Sequence, residues 1–164
     1  MDFIIFISVF ILQRLSELCV ARRNEKWLLT NGAIEYGRGH YPYIVLLHFF
    51  FILSMIGEYS MRSDPHIDYF IAGLFLSLIA LKIWIIASLG TYWNTKILRI
   101  SGMTPIKKGP YKYFKHPNYI IVVCEFIVVP LVFHLYWTAI IFSILNAFML
   151  LVRIQAENRV WAEK

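Results

Sequence analysis

Five apolar segments, each close to the length of a membrane-spanning helix, occupy most of this 164-residue chain. An α-helix needs about 20 mostly apolar residues to cross the hydrocarbon core of a bilayer. The segments cover residues 3–20, 41–56, 67–89, 119–133 and 136–152. With 59% hydrophobic and only 16% charged residues, so short a chain lacks the interior to hide this apolar surface from water. The sequence therefore predicts an all-α integral membrane protein with five transmembrane helices, in a single domain over residues 1–164.

The basic residues predict the orientation of these helices. All the lysines and arginines except Arg14, Arg62 and Lys82 fall in the first loop, the third loop or the C-terminal tail. The second loop instead carries Arg62 among three acidic residues. Because cytoplasmic loops are enriched in Lys and Arg, we expect the N-terminus outside the cell membrane and the C-terminus in the cytoplasm. The net charge of +6 is then explained by topology and anionic lipid, and no nucleic-acid partner is predicted.

Arg14, Glu17, Lys82 and Glu125 are charged residues well inside the predicted spans, where an unpaired charge is costly. Arg14 and Glu17 are one helical turn apart and are expected to pair. The long side chain of Lys82 either extends to the membrane surface or meets Glu17 or Glu125. For Glu125 a structural ion pair and a role in a site both remain open.

No metal site is predicted from the sequence. His40 and His48 are eight residues apart, nearly on one face of the second helix, but no other span offers a second pair of histidines for a haem. We therefore expect both to be hydrogen-bonded histidines at the membrane interface. Cys19 and Cys124 lie in separate apolar runs without metal-ligand spacing.

The last segment carries a polar stripe. Asn146, Leu150, Arg153 and Glu157 recur at helical spacing on one face. A solvated amphipathic tail accounts for the charged end of this stripe but leaves Asn146 unexplained. The pattern therefore favours the wall of a pocket, with the solvated tail as the alternative.

The third loop ends in a basic and aromatic stretch at residues 111–115, just before the fourth helix. Pro117 suits the first position of that helix, where its missing N–H costs nothing. The N–H groups of Asn118 and Tyr119 are then expected to form an anion site at the membrane face. A lipid-headgroup anchor made of Lys and Tyr side chains is the alternative.

An ordered motif in the C-terminal half resembles a known family. In single-letter code, GxYxxxxHPxY at residues 109–119, a helical hairpin and RxxxE at residues 153–157 are similar to the isoprenylcysteine carboxyl methyltransferase family. The N-terminal half, with GAxEYG at 32–37 and HYP at 40–42, resembles a bacterial branch. Members of that branch are linked to type III polyketide synthases and methylate long-chain alkylpyrones.

The resemblance implies an S-adenosylmethionine-dependent O-methyltransferase with a cytoplasmic cofactor site in roughly residues 90–164. It implies a cofactor shell of Lys96, Thr104, Pro105, Ile106, Tyr111, His116, Pro117, Asn118, Tyr119 and Glu157. Arg153 matches the arginine placed at the acceptor and is assigned the catalytic role. The implied acceptor is a lipophilic acidic small molecule in the membrane lipid, with an alkylpyrone favoured and a prenylcysteine as the alternative.

These residues suit methyl transfer, an in-line displacement in which most of the catalysis is positioning. An enolic or carboxylic oxygen is already largely anionic and needs only a cation, which the planar donor fork of Arg153 supplies. Two other functions remain open. An NADPH-dependent lipid or sterol reductase carries a similar element at residues 116–119, although Ile120 and Ile121 stand where such proteins usually have Gly-Glu. A membrane partner without enzymatic activity is the other, and the oligomeric state is not predicted.

Overall fold

Long apolar helices form most of the structure, a computed structural model that describes residues 1–162. In chain order the helices and strands are α1 (Asp2–Thr30), β1 (Ala33–Tyr36), α2 (Tyr41–Ser60), α3 (Tyr69–Leu89), β2 (Ile97–Ile100), α4 (Pro117–Leu131) and α5 (Tyr136–Ala162). Short 3₁₀ turns at Gly90–Tyr92 and Gly109–Lys112 lie between α3 and α4. The predicted helical class is confirmed.

Among the described residues, α1, α2, α3 and α5 are long and apolar enough to cross a membrane. The predicted fifth span, α4, has only 15 residues, which is about 22 Å of helix. Along their apolar segments, the long helices expose many large apolar side chains, and Phe49, Phe50 and Trp137 are among them. So large an exposed apolar surface fits an integral membrane protein.

The predicted helical hairpin is present between α4 and α5. Pro130 lies near the end of α4, and its carbonyl accepts a hydrogen bond from the N–H of Leu135 (3.0 Å). His134, between them, adopts a positive φ of 56°, which closes the short turn. The hairpin packs on α2 and α3 through an aromatic core in which the rings of Phe51 and Phe126 are 4.4 Å apart.

A two-stranded antiparallel sheet is the feature that the all-α prediction lacks. β1 pairs with β2, with Glu35 opposite Leu98 and Tyr36 opposite Ile97. Each strand has only four residues and its partner lies in a distant loop, so neither strand carries a recognisable local pattern. The sheet joins the first and third loops, which places both at the same end of the helices.

The ionisable residues inside the helices form one buried ionic cluster, made of Arg14, Glu17, Lys82 and Glu125. Arg14 contacts Glu17 at 3.0 Å, as predicted, and Glu125 at 2.6 Å. Lys82 lies 3.4 Å from Glu125 and 3.9 Å from Glu17. Two cations thus face two carboxylates, which offsets the cost of burying each charge. Of the two possibilities left open for Glu125, the structure shows the ion pair.

Candidate active site

A cavity of about 500 Å³ opens at the end of the helices that carries the sheet. Its wall is built from β2, the segment after it, the start of α4 and the C-terminal half of α5. Ten of the eleven predicted site residues line it: Lys96, Thr104, Pro105, Ile106, Tyr111, His116, Asn118, Tyr119, Arg153 and Glu157. Pro117 instead is buried in the first turn of α4. A cavity of this size is typical of small-molecule sites.

A chain of polar contacts crosses the cavity wall. The Nε of Arg153 donates to the hydroxyl of Tyr119 (2.9 Å), and that hydroxyl donates to the carboxylate of Glu157. A second guanidinium nitrogen, Nη2, donates to the carbonyl of Thr95 (2.5 Å). The remaining nitrogen, Nη1, has no partner in the described part of the chain. Arg153 is therefore fixed in place while one of its donors stays available.

The C-terminal half of the stripe on α5 forms part of the pocket wall that the sequence favours, whereas Asn146 and Leu150 do not line the cavity. Arg153 and Glu157 are one turn apart on this helix and both line the cavity. Asn146, two turns earlier, is only 3% exposed. Leu150 and Glu157 are half-buried and Arg153 is buried, so this part of α5 is not the fully solvated tail of the alternative.

His116 adjoins the same carboxylate. Its Nδ1 lies 3.6 Å from Glu157, and its ring stacks on that of Tyr119 with the centroids 5.1 Å apart. Its other nitrogen, Nε2, is buried, and no described residue forms a hydrogen bond with it. A buried ring nitrogen without a partner is unusual in a native protein, and in a cavity wall it is an atom that a ligand would satisfy.

Of the two N–H groups that were predicted to form an anion site at the start of α4, one is not free, so the prediction is wrong for that group. The N–H of Tyr119 already donates to the carbonyl of His116 at 3.1 Å. The backbone tightens into a 3₁₀-type turn at this end, a common way to satisfy the first N–H groups of a helix. The N–H of Asn118 remains without an acceptor among the described residues.

Lys96 lines the cavity, but its ammonium group also forms ion pairs with acidic residues that had no predicted role in the site. Its ammonium contacts Glu25 of α1 at 2.6 Å and Glu35 of β1 at 3.6 Å, and it lies over the ring of Tyr41. The hydrogen bond that Lys96 donates to the Glu25 carboxylate, together with the charges of both acids, raises the pKa of Lys96. The GAxEYG motif at 32–37 was the one signal that could have pointed to Glu35.

The start of α2 adjoins Arg153. The hydroxyls of Tyr41 and Thr95 are 3.1 Å apart, and the same Thr95 holds the guanidinium of Arg153 through its carbonyl. Partial burial, together with the positive charge of Arg153, lowers the pKa of His40. The neutral imidazole is thus favoured beside the guanidinium. His48, further along α2, donates to the carbonyl of Ile44 (2.8 Å), as expected of a hydrogen-bonded histidine.

Tyr111 reaches the cavity from the 3₁₀ turn that begins at Gly109. Burial, and then the charge of Glu157, raise the pKa of Tyr111 well above its usual value, so the phenol stays neutral. Gly109 has a φ of +52°, and a Cβ there would lie 2.1 Å from the Oγ of Ser88 in α3. A glycine is therefore required for the turn to pack this closely on α3.

Comparison with known proteins identifies the family. The model of the isoprenylcysteine carboxyl methyltransferase (ICMT) family matches residues 71–163. Uncharacterized protein YpbQ of Bacillus subtilis (strain 168) is 44% identical over 163 residues, which is 98% of this chain and 97% of the relative. An uncharacterized protein of Haemophilus influenzae (strain ATCC 51907 / DSM 11121 / KW20 / Rd) is 27% identical over 88% of this chain and 86% of its own length. No solved structure matches the chain. From the family match and the full-length relative, the chain belongs to the ICMT family, which indicates a membrane methyltransferase.

Proposed function

We propose that this protein is an S-adenosylmethionine-dependent O-methyltransferase whose acceptor is a lipophilic acidic molecule dissolved in the membrane. The observation that carries the proposal is the series of polar contacts that runs from Arg153 through Tyr119 to Glu157 and His116. All four residues line one cavity of about 500 Å³. This arrangement places a fixed cation with an available donor beside a carboxylate and an unpartnered ring nitrogen. Family membership supports methyl transfer as the reaction.

The residues of the cavity fit the cofactor. S-Adenosylmethionine carries an ammonium group, a carboxylate, a ribose and an adenine. Glu157 offers a carboxylate for the ammonium group, and the buried Nε2 of His116 offers a hydrogen bond. Tyr111 and residues 104–106 add aromatic and apolar surface. When bound, the cofactor supplies a methyl group on a cationic sulfur, and the new O–C bond forms as the C–S bond breaks.

Arg153 would hold the acceptor. Its guanidinium is fixed by Tyr119 and Thr95, so that Nη1 can orient an anionic oxygen with little loss of side-chain freedom. Since positioning dominates this reaction, a fixed cation contributes more than a strong base would. An alkyl chain on the acceptor would extend between apolar helices, where it leaves no polar group desolvated.

The same reasoning orients the protein in the membrane. We propose that α4, paired with α5, is the fifth crossing in spite of its 15 residues. The cavity, both basic loops and the C-terminal tail then lie in the cytoplasm, where S-adenosylmethionine is made. Lys164, which belongs to that tail, lies outside the described residues.

Methyl transfer in lipid nanodiscs tests the proposal. Purified protein is supplied with labelled S-adenosylmethionine and a long-chain alkylpyrone, a prenylcysteine or a fatty acid of matched length, and binding of S-adenosylhomocysteine and of NADPH is titrated. We expect methylation of an acidic acceptor, with the alkylpyrone preferred. Arg153→Lys should lower turnover by roughly tenfold or more and leave S-adenosylhomocysteine binding unchanged, because a point charge replaces a planar fork.

Arg159→Lys, at an exposed position on the same helix, is the matched control and should behave as the parent protein does. Methylation of another acceptor, with the alkylpyrone left unmodified, would refute the preferred acceptor alone. If the protein binds NADPH and no S-adenosyl compound, the methyltransferase proposal is wrong and the reductase alternative takes its place.

A further inference from the structure

The buried ionic cluster reaches the wall of the cavity through one hydrogen bond. Lys82, which is 2% exposed in α3, donates from its Nζ to the Oδ1 of Asn118 at 3.1 Å. Asn118 lies in the first turn of α4 and lines the cavity. The cluster is therefore more than a set of neutralised charges, since it also contacts a residue that a ligand can touch.

This contact fixes which way the amide of Asn118 points. An ammonium group has three donors and no acceptor, so the amide atom that faces it must be the oxygen. The nitrogen, Nδ2, is then turned away from Lys82. Within residues 1–162 no side chain or carbonyl accepts a hydrogen bond from this Nδ2, and the residue lines the cavity. Asn118 thus presents a donor to the cavity.

Lys82 is itself held in place by the other members of the buried ionic cluster. Its ammonium is 3.4 Å from Glu125 and 3.9 Å from Glu17, and Arg14 contacts both of those carboxylates. A lysine packed in this way has few alternative rotamers. Its charge also polarises the amide it contacts, which strengthens Nδ2 as a donor in a site of low dielectric.

We propose that Lys82 is a positioning residue of the site, which aims the Nδ2 of Asn118 at a carboxylate oxygen of the bound ligand. The backbone N–H of Asn118 also lacks an acceptor in the described part of the chain, so this residue has a second donor that could bind the same anionic group. The inference rests on the proposed function, in which the amino-acid end of the S-adenosyl cofactor provides the carboxylate.

Titration calorimetry with two ligands tests whether the Nδ2 of Asn118 donates a hydrogen bond to the ligand carboxylate. S-Adenosylhomocysteine carries the carboxylate, whereas 5′-methylthioadenosine lacks the whole amino-acid end. Asn118→Ala should weaken S-adenosylhomocysteine by about tenfold, the typical value of one hydrogen bond to a charged group. Asn118→Asp should weaken it further through repulsion. Neither variant should alter the affinity for 5′-methylthioadenosine by more than about twofold.

Variants of Lys82 test the positioning role. Lys82→Arg keeps donors only and should preserve affinity. Lys82→Gln is made with Glu17→Gln, so that one cation still faces one carboxylate, and Glu17→Gln alone is the matched control. The glutamine amide can face Asn118 with either atom, so the double variant should lose affinity for S-adenosylhomocysteine relative to that control. With Asn118→Ala already present, Lys82→Gln should have no further effect.

The outcomes are separable. If the parent protein binds S-adenosylhomocysteine but Asn118→Ala binds it equally well, this inference is overturned and the proposed function stands. If Lys82→Gln weakens binding equally with and without Asn118→Ala, Lys82 acts only on the fold and the positioning role is refuted. If the parent protein binds no S-adenosyl compound, the proposed function and this inference fail together.

Discussion

Glu125 is 1% exposed, and both of its charged partners, Arg14 and Lys82, come from other helices. Removing one member of a buried ion pair leaves the others without compensation, which is far more costly than losing a pair at the surface. The four charges therefore tie α1, α3 and α4 together at a depth where water cannot replace a lost partner.

Glu125→Gln should accordingly destabilise the protein by about 3–5 kcal/mol, because Glu17 would then be the one carboxylate facing two cations in the cluster. Chemical unfolding in a mild detergent measures this loss. Asp64→Asn, at an exposed position in the second loop, is the matched control and should change little. An effect of Glu125→Gln no larger than that of the control would contradict the ion-pair assignment.

Some residues of the candidate site can be identified from the sequence and others cannot. Arg153 and Glu157 could be identified because they share one helix and one motif, so that their spacing alone places them on one face. Glu25 could not, and Glu35 had only its motif at 32–37 to point to it, since both acids contact Lys96, which lies far away in sequence and meets them only in the folded chain. Similarly, hydropathy marks Lys82 as costly in a membrane, but its hydrogen bond to Asn118 is visible only in three dimensions.

The helices extend beyond the apolar segments that predict them. The apolar run at 3–20 predicts a span, yet α1 continues to Thr30, and α5 likewise passes the end of its apolar run at residue 152 and continues to Ala162. Hydropathy reports where lipid ends, whereas a helix ends where its backbone hydrogen bonds end. These polar extensions carry Glu25 and Glu157, so the site is built on the part of the helices that hydropathy does not mark.

The 3₁₀ turn that begins at Gly109 should not tolerate a side chain at that position. Gly109→Ala should destabilise the protein by more than about 1 kcal/mol, because a positive φ and a close approach to Ser88 both oppose a Cβ there. It should also weaken binding of S-adenosylhomocysteine, since Tyr111 is carried on this turn. Thermal unfolding and calorimetry measure the two effects.

Gly57→Ala is the matched control for this experiment. Gly57 lies inside α2, where no described residue beyond the helix's own backbone lies within 4 Å of an added Cβ, so alanine should leave the stability unchanged or raise it slightly. If Gly109→Ala is as stable as Gly57→Ala, the turn does not require a glycine.

For the molecule as a whole, the two ends of the helical bundle differ in composition. One end carries the sheet, the cavity and the basic loops. At the other end, the carboxylate of Glu58 accepts hydrogen bonds from the N–H groups of Trp137 and Thr138 at the start of α5 (3.2 and 2.7 Å). The asymmetry of charge predicts that the end with the cavity lies in the cytoplasm.

Reporter fusions test this orientation. A fusion after Asp64 should report the outside of the cell, and a fusion to the C-terminus should report the cytoplasm. The physical reason is the excess of Lys and Arg in the loops beside the cavity, which resist translocation. The same signal from both positions would contradict a five-span topology with an external N-terminus.

The pairing of β1 with β2 has a consequence for biogenesis. A ribosome makes β1 before α2 and α3 and makes β2 only after them, so the two strands can meet only when both helices have been inserted and have turned back. Until then Glu25 and Glu35 lack the ion pairs that they form with Lys96 in the folded protein. Because Arg153 and Glu157 of α5 also line the cavity, its wall is incomplete until nearly the whole chain has been made.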